Sequence, residues 1–233
     1  MDMNRFTQLL FMLCLLAFLP AAQAEDAPWY QVEILVFAND DPDALDDEFW
    51  PANLTVPEKP NAIELGSRSE GQQRPFTRLP RESLLFTSER RRIEQYDGFR
   101  VLFHGGWMQP VTSKRFAKPV HIRAGQVLDN GQYELDGYIT IDKGRYLHFR
   151  PNLFHSRQLS TQEQNILQSF EQQEETATSQ ETSLIPELEL PDFLTVQMDQ
   201  GRRMRSKEVH YLDHPLMGIL VLMLPMKKAT TPN

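Results

Sequence analysis

The sequence predicts an α+β domain with a mostly antiparallel, hairpin-rich sheet, one main helix and long surface loops. Three observations carry that expectation: an alternating strand near the start, a single stretch at helical spacing, and a later series of alternating segments divided by turn residues. Two packed sub-sheets are the alternative arrangement of the same strands.

"WYQVEILVF" (29–37) opens the fold, with Tyr30, Val32, Ile34 and Val36 on one face and Gln31, Glu33, Leu35 and Phe37 on the other. Residues 38–80 carry prolines at 42, 51, 57, 60, 75 and 80 without a sustained period, and read as a long surface connection. Acids at 40, 41, 43, 46, 47 and 48 invite a calcium reading, but the stretch lacks the central glycine and distal glutamate of a calcium-binding hand. "ESLLFTSERRRIEQYDGF" places Leu85, Ile93 and Tyr96 at helical spacing, with Asp97-Gly98 as the stop and Arg90, Arg91 and Arg92 on a solvated face.

"FRVLFHGGWMQPV" is a second strand, in which Gly105-Gly106 marks a bulge or a close backbone approach. "KPVHIRAG" is a weak third. "QYELDGYITIDKGRYLHFRPNLF" is the clearest hairpin, with Gly144 suited to a positive φ in its turn. Residues 158–183 turn polar and glutamine-rich; Ser160 and Glu163 form a capping box before a short helix bearing Ile166, Leu167 and Phe170, and 172–183 has the composition of a disordered segment. From 193 onward three strands are expected, with turns near Gln200-Gly201 or Ser206-Lys207 and at His214-Pro215. The last, Gly218 to Leu224, is apolar on both faces and should be central.

At the start, Arg5, an apolar run from Leu9 to Leu19 and Ala22-Gln23-Ala24 form the pattern of a secretory signal cleaved after Ala24. The expected organisation is therefore a signal at 1–24, one exported α+β domain at 25–225 and a tail at 226–233. The apolar run is shorter than the roughly 20 residues of a spanning helix, so no membrane span is expected. Cys14, the only cysteine, leaves with the signal, and with it go disulfides, thiolate metal sites and a cysteine nucleophile. The signal holds one acid and one base, Asp2 and Arg5, so its removal leaves the net charge at −8. Such a balance argues against nucleic acid as a partner.

Nucleophile elbows, penicillin-binding signatures and zinc-protease motifs are missing, and no cofactor is expected. In "HYLDH", His210 and His214 would share a metal on a helix, with Asp213 as a third ligand; but "EVHYL" alternates and Pro215 follows. On a strand the two histidines stand about 13 Å apart, so no metal is expected and a turn capped by Asp213 is preferred. What remains is recognition chemistry. Arginine forks suit carboxylates, and Trp29, Trp50 and Trp107 could offer flat faces to sugars, although Trp107 beside two glycines reads more simply as core.

Taken together, "WYQVEILVF", "FRVLFHGGWMQPV", "GYITIDKGRYLHFRPNLF" and "RRMRSKEVHYLDHPLMGILVLMLP" resemble the CsiV family of periplasmic proteins from gammaproteobacteria. Met108 and the Gly105-Gly106 pair depart from its pattern. The resemblance implies a non-enzymatic peptidoglycan-binding protein that supports cell-wall synthesis and cell shape, working with the lipoprotein activator of a class A penicillin-binding protein. It implies no catalytic residue. Residues matching the family pattern are His104, Trp107 and Gln109, and Arg202, Arg203, Arg205, His210, Tyr211, Asp213 and His214 with Pro215. These are the binding candidates, with residues 202–217 expected to form a hairpin whose arginines face outward to carboxylates. A partner-binding module without wall affinity and a wall hydrolase are the competing functions.

Overall fold

The computed structural model describes residues 27–41, 54–66, 75–165 and 192–226. The expected signal at 1–24, the acidic run after Asp41, Trp50, the expected helix residues Ile166, Leu167 and Phe170, and residues 227–233 lie outside the described residues. The strands are β1 (Trp29–Asn39), β2 (Ile63–Glu64), β3 (Thr77–Arg78), β4 (Phe99–Pro110), β5 (Val120–Val127), β6 (Tyr133–Lys143), β7 (Leu147–Gln158), β8 (Phe193–Met198), β9 (Arg202–Met204), β10 (Val209–His214) and β11 (Met217–Pro225). Between β3 and β4 come a 3₁₀ turn, Arg81–Ser83, and one helix, α1 (Thr87–Ile93).

They form two sheets. The first runs β10-β11-β1-β4-β3 and is antiparallel throughout. The second runs β2-β5-β6-β7-β8, with β9 also on β7; only the β2–β5 pair is parallel. Val32, Ile34, Val36, Trp107, Ile219 and Val221 of the first sheet share one core with Ile122, Ile139, Ile141, Phe149 and Val196 of the second. Each such aliphatic side chain removed from water contributes about 1.5–3 kcal/mol. This packing is a β-sandwich, with more strand and less helix than the α+β expectation.

β1 is buried on both faces. On its second face Phe37 packs on Phe99 and Tyr211, while Glu33 and Leu35 meet the segment that enters and forms α1: Leu35 clusters with Phe86 and Leu222, flanked by Ile93, Val101, Leu220 and Leu224. Glu33 supplies the specificity. Its carboxylate accepts the N–H of Leu85 (2.9 and 2.8 Å to the two oxygens) and of Phe86 (2.8 Å), and lies 2.9 Å from Nε2 of His104. Because those two amides are committed to a side chain on β1, the helix starts at Thr87, not near Glu82. The buried contact is Phe86, 2% exposed, whereas Leu85 and Tyr96 of the expected stripe are 53% and 69% exposed.

The 38–80 connection contributes two short strands, and Gly106 is where it approaches closely. A Cβ there would stand 2.8 Å from Leu79 Cδ1 and 2.8 Å from the Val32 carbonyl oxygen. The irregularity in the β1–β4 register falls instead at Val36/Phe37. In the β6–β7 turn Gly144 does not take a positive φ; the glycines that do are Gly98, Gly125, Gly131 and Gly137. The turn closes through Gly144 N–H on the Tyr146 carbonyl, at 3.1 Å, and needs no left-handed residue at 144. The Ser160 capping box forms, Ser160 N–H donating to Glu163 Oε2 at 2.8 Å and Glu163 N–H to Ser160 Oγ at 3.3 Å.

The C-terminal region has four strands where three were expected, since both turns occur. Residues 202–217 are not a hairpin: β9 pairs with Leu147–Phe149 of β7 in the second sheet, and β10 pairs with β11 in the first. Met204 goes into the core while Val209 begins the other sheet's edge, so 205–208 is a crossover. The actual hairpin is β10–β11, turning at Pro215-Leu216.

Two substitutions test this account. Gly137, at φ +144 in mid-strand, would place a Cβ against the Asn152 carbonyl oxygen and 2.9 Å from Leu153 Cα, both backbone. Gly137→Ala should therefore cost about 2–3 kcal/mol from strain and crowding, read by denaturant unfolding. Glu33→Ala should destabilise by about 3–5 kcal/mol through loss of a buried charged partner, and speed proteolysis within 79–98 before global unfolding.

Candidate functional site

Antiparallel pairing sends scattered basic segments to one end of the sandwich. Trp29 pairs with Pro110 and Tyr30 with Pro225, so the start of β1 and the ends of β4 and β11 share that end. The β6–β7 turn joins them, because Lys143 N–H donates to the Thr112 carbonyl at 2.9 Å and Lys143 Nζ lies 5.9 Å from the centre of the Tyr30 ring. The start of β5, the end of β9 and the start of β10 arrive there too. All lysines of the described residues (Lys59, Lys114, Lys118, Lys143 and Lys207) sit at this end. Asp40, Asp41, Asp97 and Asp129 lie at the other.

Arg202 and Arg203 are exposed on β9, and Arg205 on the crossover. The Arg203 guanidinium lies 4.5 Å from the Tyr146 ring centre, and that of Arg145 lies 5.4 Å from the same ring. The Arg205 side chain makes one long contact among the described residues, to Glu208 at 3.8 Å. Such stacking holds a guanidinium flat while its N–H donors stay available. Arg145 and Tyr146 were not singled out from the sequence; the signal for them was the turn that their hairpin required.

The remaining members of the expected constellation spread along β10. His210 Nε2 accepts the Arg205 N–H at 3.0 Å and so pins the crossover to the strand. Tyr211 stacks on Phe37, centroids 6.3 Å apart, and its hydroxyl donates to Asp213 Oδ1 at 2.6 Å. Burial, then the hydrogen bond to Asp213 and its charge, push the Tyr211 phenol above its ordinary value. The turn is capped by His214, whose Nδ1 accepts the Leu216 N–H at 3.2 Å; Asp213, expected in that role, is engaged by Tyr211. Among the described residues no three His, Asp or Glu side chains gather as metal ligands.

His104, Trp107 and Gln109 are internal. Trp107 is wholly buried between the sheets and donates through Nε1 to Gln109 Oε1 at 2.7 Å, while His104 serves Glu33 on the opposite face. Neither Trp107 nor Gln109 offers surface to a ligand.

Residues 6–226 match the family described as "Peptidoglycan-binding protein, CsiV". The chain belongs to the CsiV family. No curated protein and no solved structure matches it. Membership makes it a member of a peptidoglycan-binding family, and among the described residues no helix is long and apolar enough to cross a membrane.

The other end of this CsiV-family sandwich holds a buried polar network. Arg100 meets Glu134 (2.8 Å) and Asp40 (3.1 Å), while His155 Nδ1 donates to the Glu134 carbonyl at 2.9 Å. Arg157 pairs with Glu163 at 2.5 Å. Burial opposes the Arg100 charge, but Glu134 and Asp40 outweigh it and its pKa is raised. Burial likewise opposes ionised Glu163, yet hydrogen bonds from Ser160 and Arg157 hold its pKa below the ordinary value. His155 is pushed down, first by burial and also by Arg157 and Arg100, and its Nε2 is buried without a hydrogen-bond partner among the described residues. A proton there would be an uncompensated charge.

The unfolded chain therefore binds more protons than the folded one below the ordinary histidine pKa of about 6.5. The His155 contribution is complete above that value and is lost as pH falls; that of Glu163 is lost at still lower pH. Thermal unfolding should show the midpoint dropping from pH 7.5 to pH 5, and His155→Gln should flatten the slope between pH 6.5 and 5.

Proposed function

We propose that this chain is a non-enzymatic accessory protein of the periplasm that binds peptidoglycan through the arginines at its basic end and supports wall synthesis and cell shape, with the lipoprotein activator of a class A penicillin-binding protein as its partner. The observation that carries the site is the pair Arg145 and Arg203 on the Tyr146 ring, with exposed Arg202 next to them on β9: these cations have no carboxylate partner among the described residues, on a chain of net charge −8. Wall stems offer carboxylates to the forks, and the Tyr146 ring, 42% exposed, offers a face to a sugar. Family membership supports wall binding as the purpose of that chemistry.

A second reading, a partner module without wall affinity, is favoured by β10. It is an edge strand of the first sheet, with Val209 and Tyr211 exposed and Phe99 beside Phe37 on the same face. An extended partner segment could add to such an edge.

Co-sedimentation of the purified chain with intact sacculi over a salt series separates these readings. Wall binding predicts pelleting that weakens as salt rises, no soluble muropeptides in the supernatant, and loss of pelleting when Arg202, Arg203 and Arg205 are changed to Glu. Absence of pelleting would favour the partner module, and released fragments would make the protein a hydrolase.

A further inference from the structure

At the same end of the molecule as the arginine cluster lies an open groove of about 810 Å³, walled by residues 58–63, which lead into β2, and residues 115–119 ahead of β5. Its size falls within the roughly 300–1,000 Å³ of small-ligand sites. The two walls join where Ile63 N–H donates to the Pro119 carbonyl at 2.8 Å, and the second is folded on itself by Phe116 and Ala117 N–H on the Ser113 carbonyl, at 2.9 and 3.0 Å. Pro60 and Pro119 line it and restrict the backbone on both sides.

The chemistry of the groove is cationic. Lys59, Arg115 and Lys118 line it against a single acid, Glu58, and none of the three forms an ion pair among the described residues. Lys59 Nζ is held 4.8 Å from the Tyr138 ring centre and the Arg115 guanidinium 5.5 Å from that of Phe116. Phe116 itself is 67% exposed. An aromatic face left in water is stabilised when a ligand's apolar groups cover it. Unpaired cations flanking an uncovered aromatic ring, between two proline-stiffened walls, fit an extended anion with small aliphatic groups. The Lys143 bond to Thr112 ties this loop to the turn that carries Arg145 and Tyr146, so the groove and the arginine cluster serve one end of the molecule.

We infer that the groove is a subsite for the carboxylate-bearing stem peptide of a wall fragment, with Arg115 and Lys118 on its carboxylates and Phe116 over its alanyl methyl groups. This assignment rests on the wall-binding reading and deepens it. Two clues were present in "EKPNAI" and "KRFAK", but some 55 positions of sequence separate them, and only the parallel β2–β5 pair brings them together.

The test titrates the full chain with a soluble disaccharide-tetrapeptide and with the same disaccharide lacking its peptide, beside sacculus pelleting. Arg115→Glu/Lys118→Glu removes the groove's donors. Arg91→Glu/Arg92→Glu, on the exposed side of α1, makes the same change in net charge elsewhere. The parent should bind the peptide-bearing fragment and not the bare disaccharide. The groove variant should lose at least about tenfold, since charge-assisted hydrogen bonds are worth roughly 1.5–3 kcal/mol each, while the α1 variant stays near the parent and both unfold at the parental temperature. A groove variant that binds the peptide as the parent does, or a parent indifferent to the peptide, overturns the subsite while sacculus pelleting leaves wall binding standing. A parent that binds neither fragment nor sacculi overturns both.

Discussion

The architecture depends on β1 being buried on both faces. A central strand with Val32, Ile34 and Val36 on one side and Glu33, Leu35 and Phe37 on the other needs a layer over each. The second sheet supplies one, and the segment from Leu79 through α1 supplies part of the other. A carboxylate in that position must be matched, and Glu33 is: two backbone N–H groups and a histidine converge on it. The same bonds that satisfy the buried charge fix where the helix begins, and Gly106 lets the covering segment come close enough to make them.

From that sandwich follows the separation of charge. Antiparallel strands put alternate connections at opposite ends, and the connections carrying Lys114, Arg115, Lys118, Arg145, Arg205 and Lys207 all leave from one. At the opposite end Arg100 and Arg157 are consumed by Glu134, Asp40 and Glu163. An acidic protein thus presents an end of opposite sign, and in the proposed reading a polyanionic network such as the wall would meet cations there, most of which pair with no carboxylate among the described residues. With a Debye length of about 8 Å at physiological salt, the local sign governs contact more than the net charge does.

How much of this was legible depended on range. β1 and β11 were readable because alternation in one and two-sided apolarity in the other are local properties of the chain. The capping box at Ser160 and Glu163 was readable for the same reason, as a contact over three positions. The helix was read too long because Leu85, Ile93 and Tyr96 keep helical spacing, while the residue that denies Leu85 and Phe86 to the helix is Glu33, 52 and 53 positions away. β2 and β3, two residues each, carry no period. Of the expected site, Arg202, Arg203 and Arg205 reach the surface, but sequence could not assign β9 and β10 to different sheets, and so read a crossover as a hairpin. Trp107 and Gln109 matched the family pattern for reasons of packing. Tyr146 and the groove residues were missed because their partners come from other strands.

The central claim is that the basic end meets the wall, and lysine footprinting measures it directly, since Lys59, Lys114, Lys118, Lys143 and Lys207 all lie there. The full chain would be acetylated free and bound to intact sacculi, and the reactivity of each lysine read by mass spectrometry. The account predicts that Lys59, Lys118 and Lys143 lose reactivity on binding and regain it when salt releases the protein. Equal reactivity of those lysines in free and sacculus-bound protein would contradict it and place the wall contact elsewhere on the sandwich.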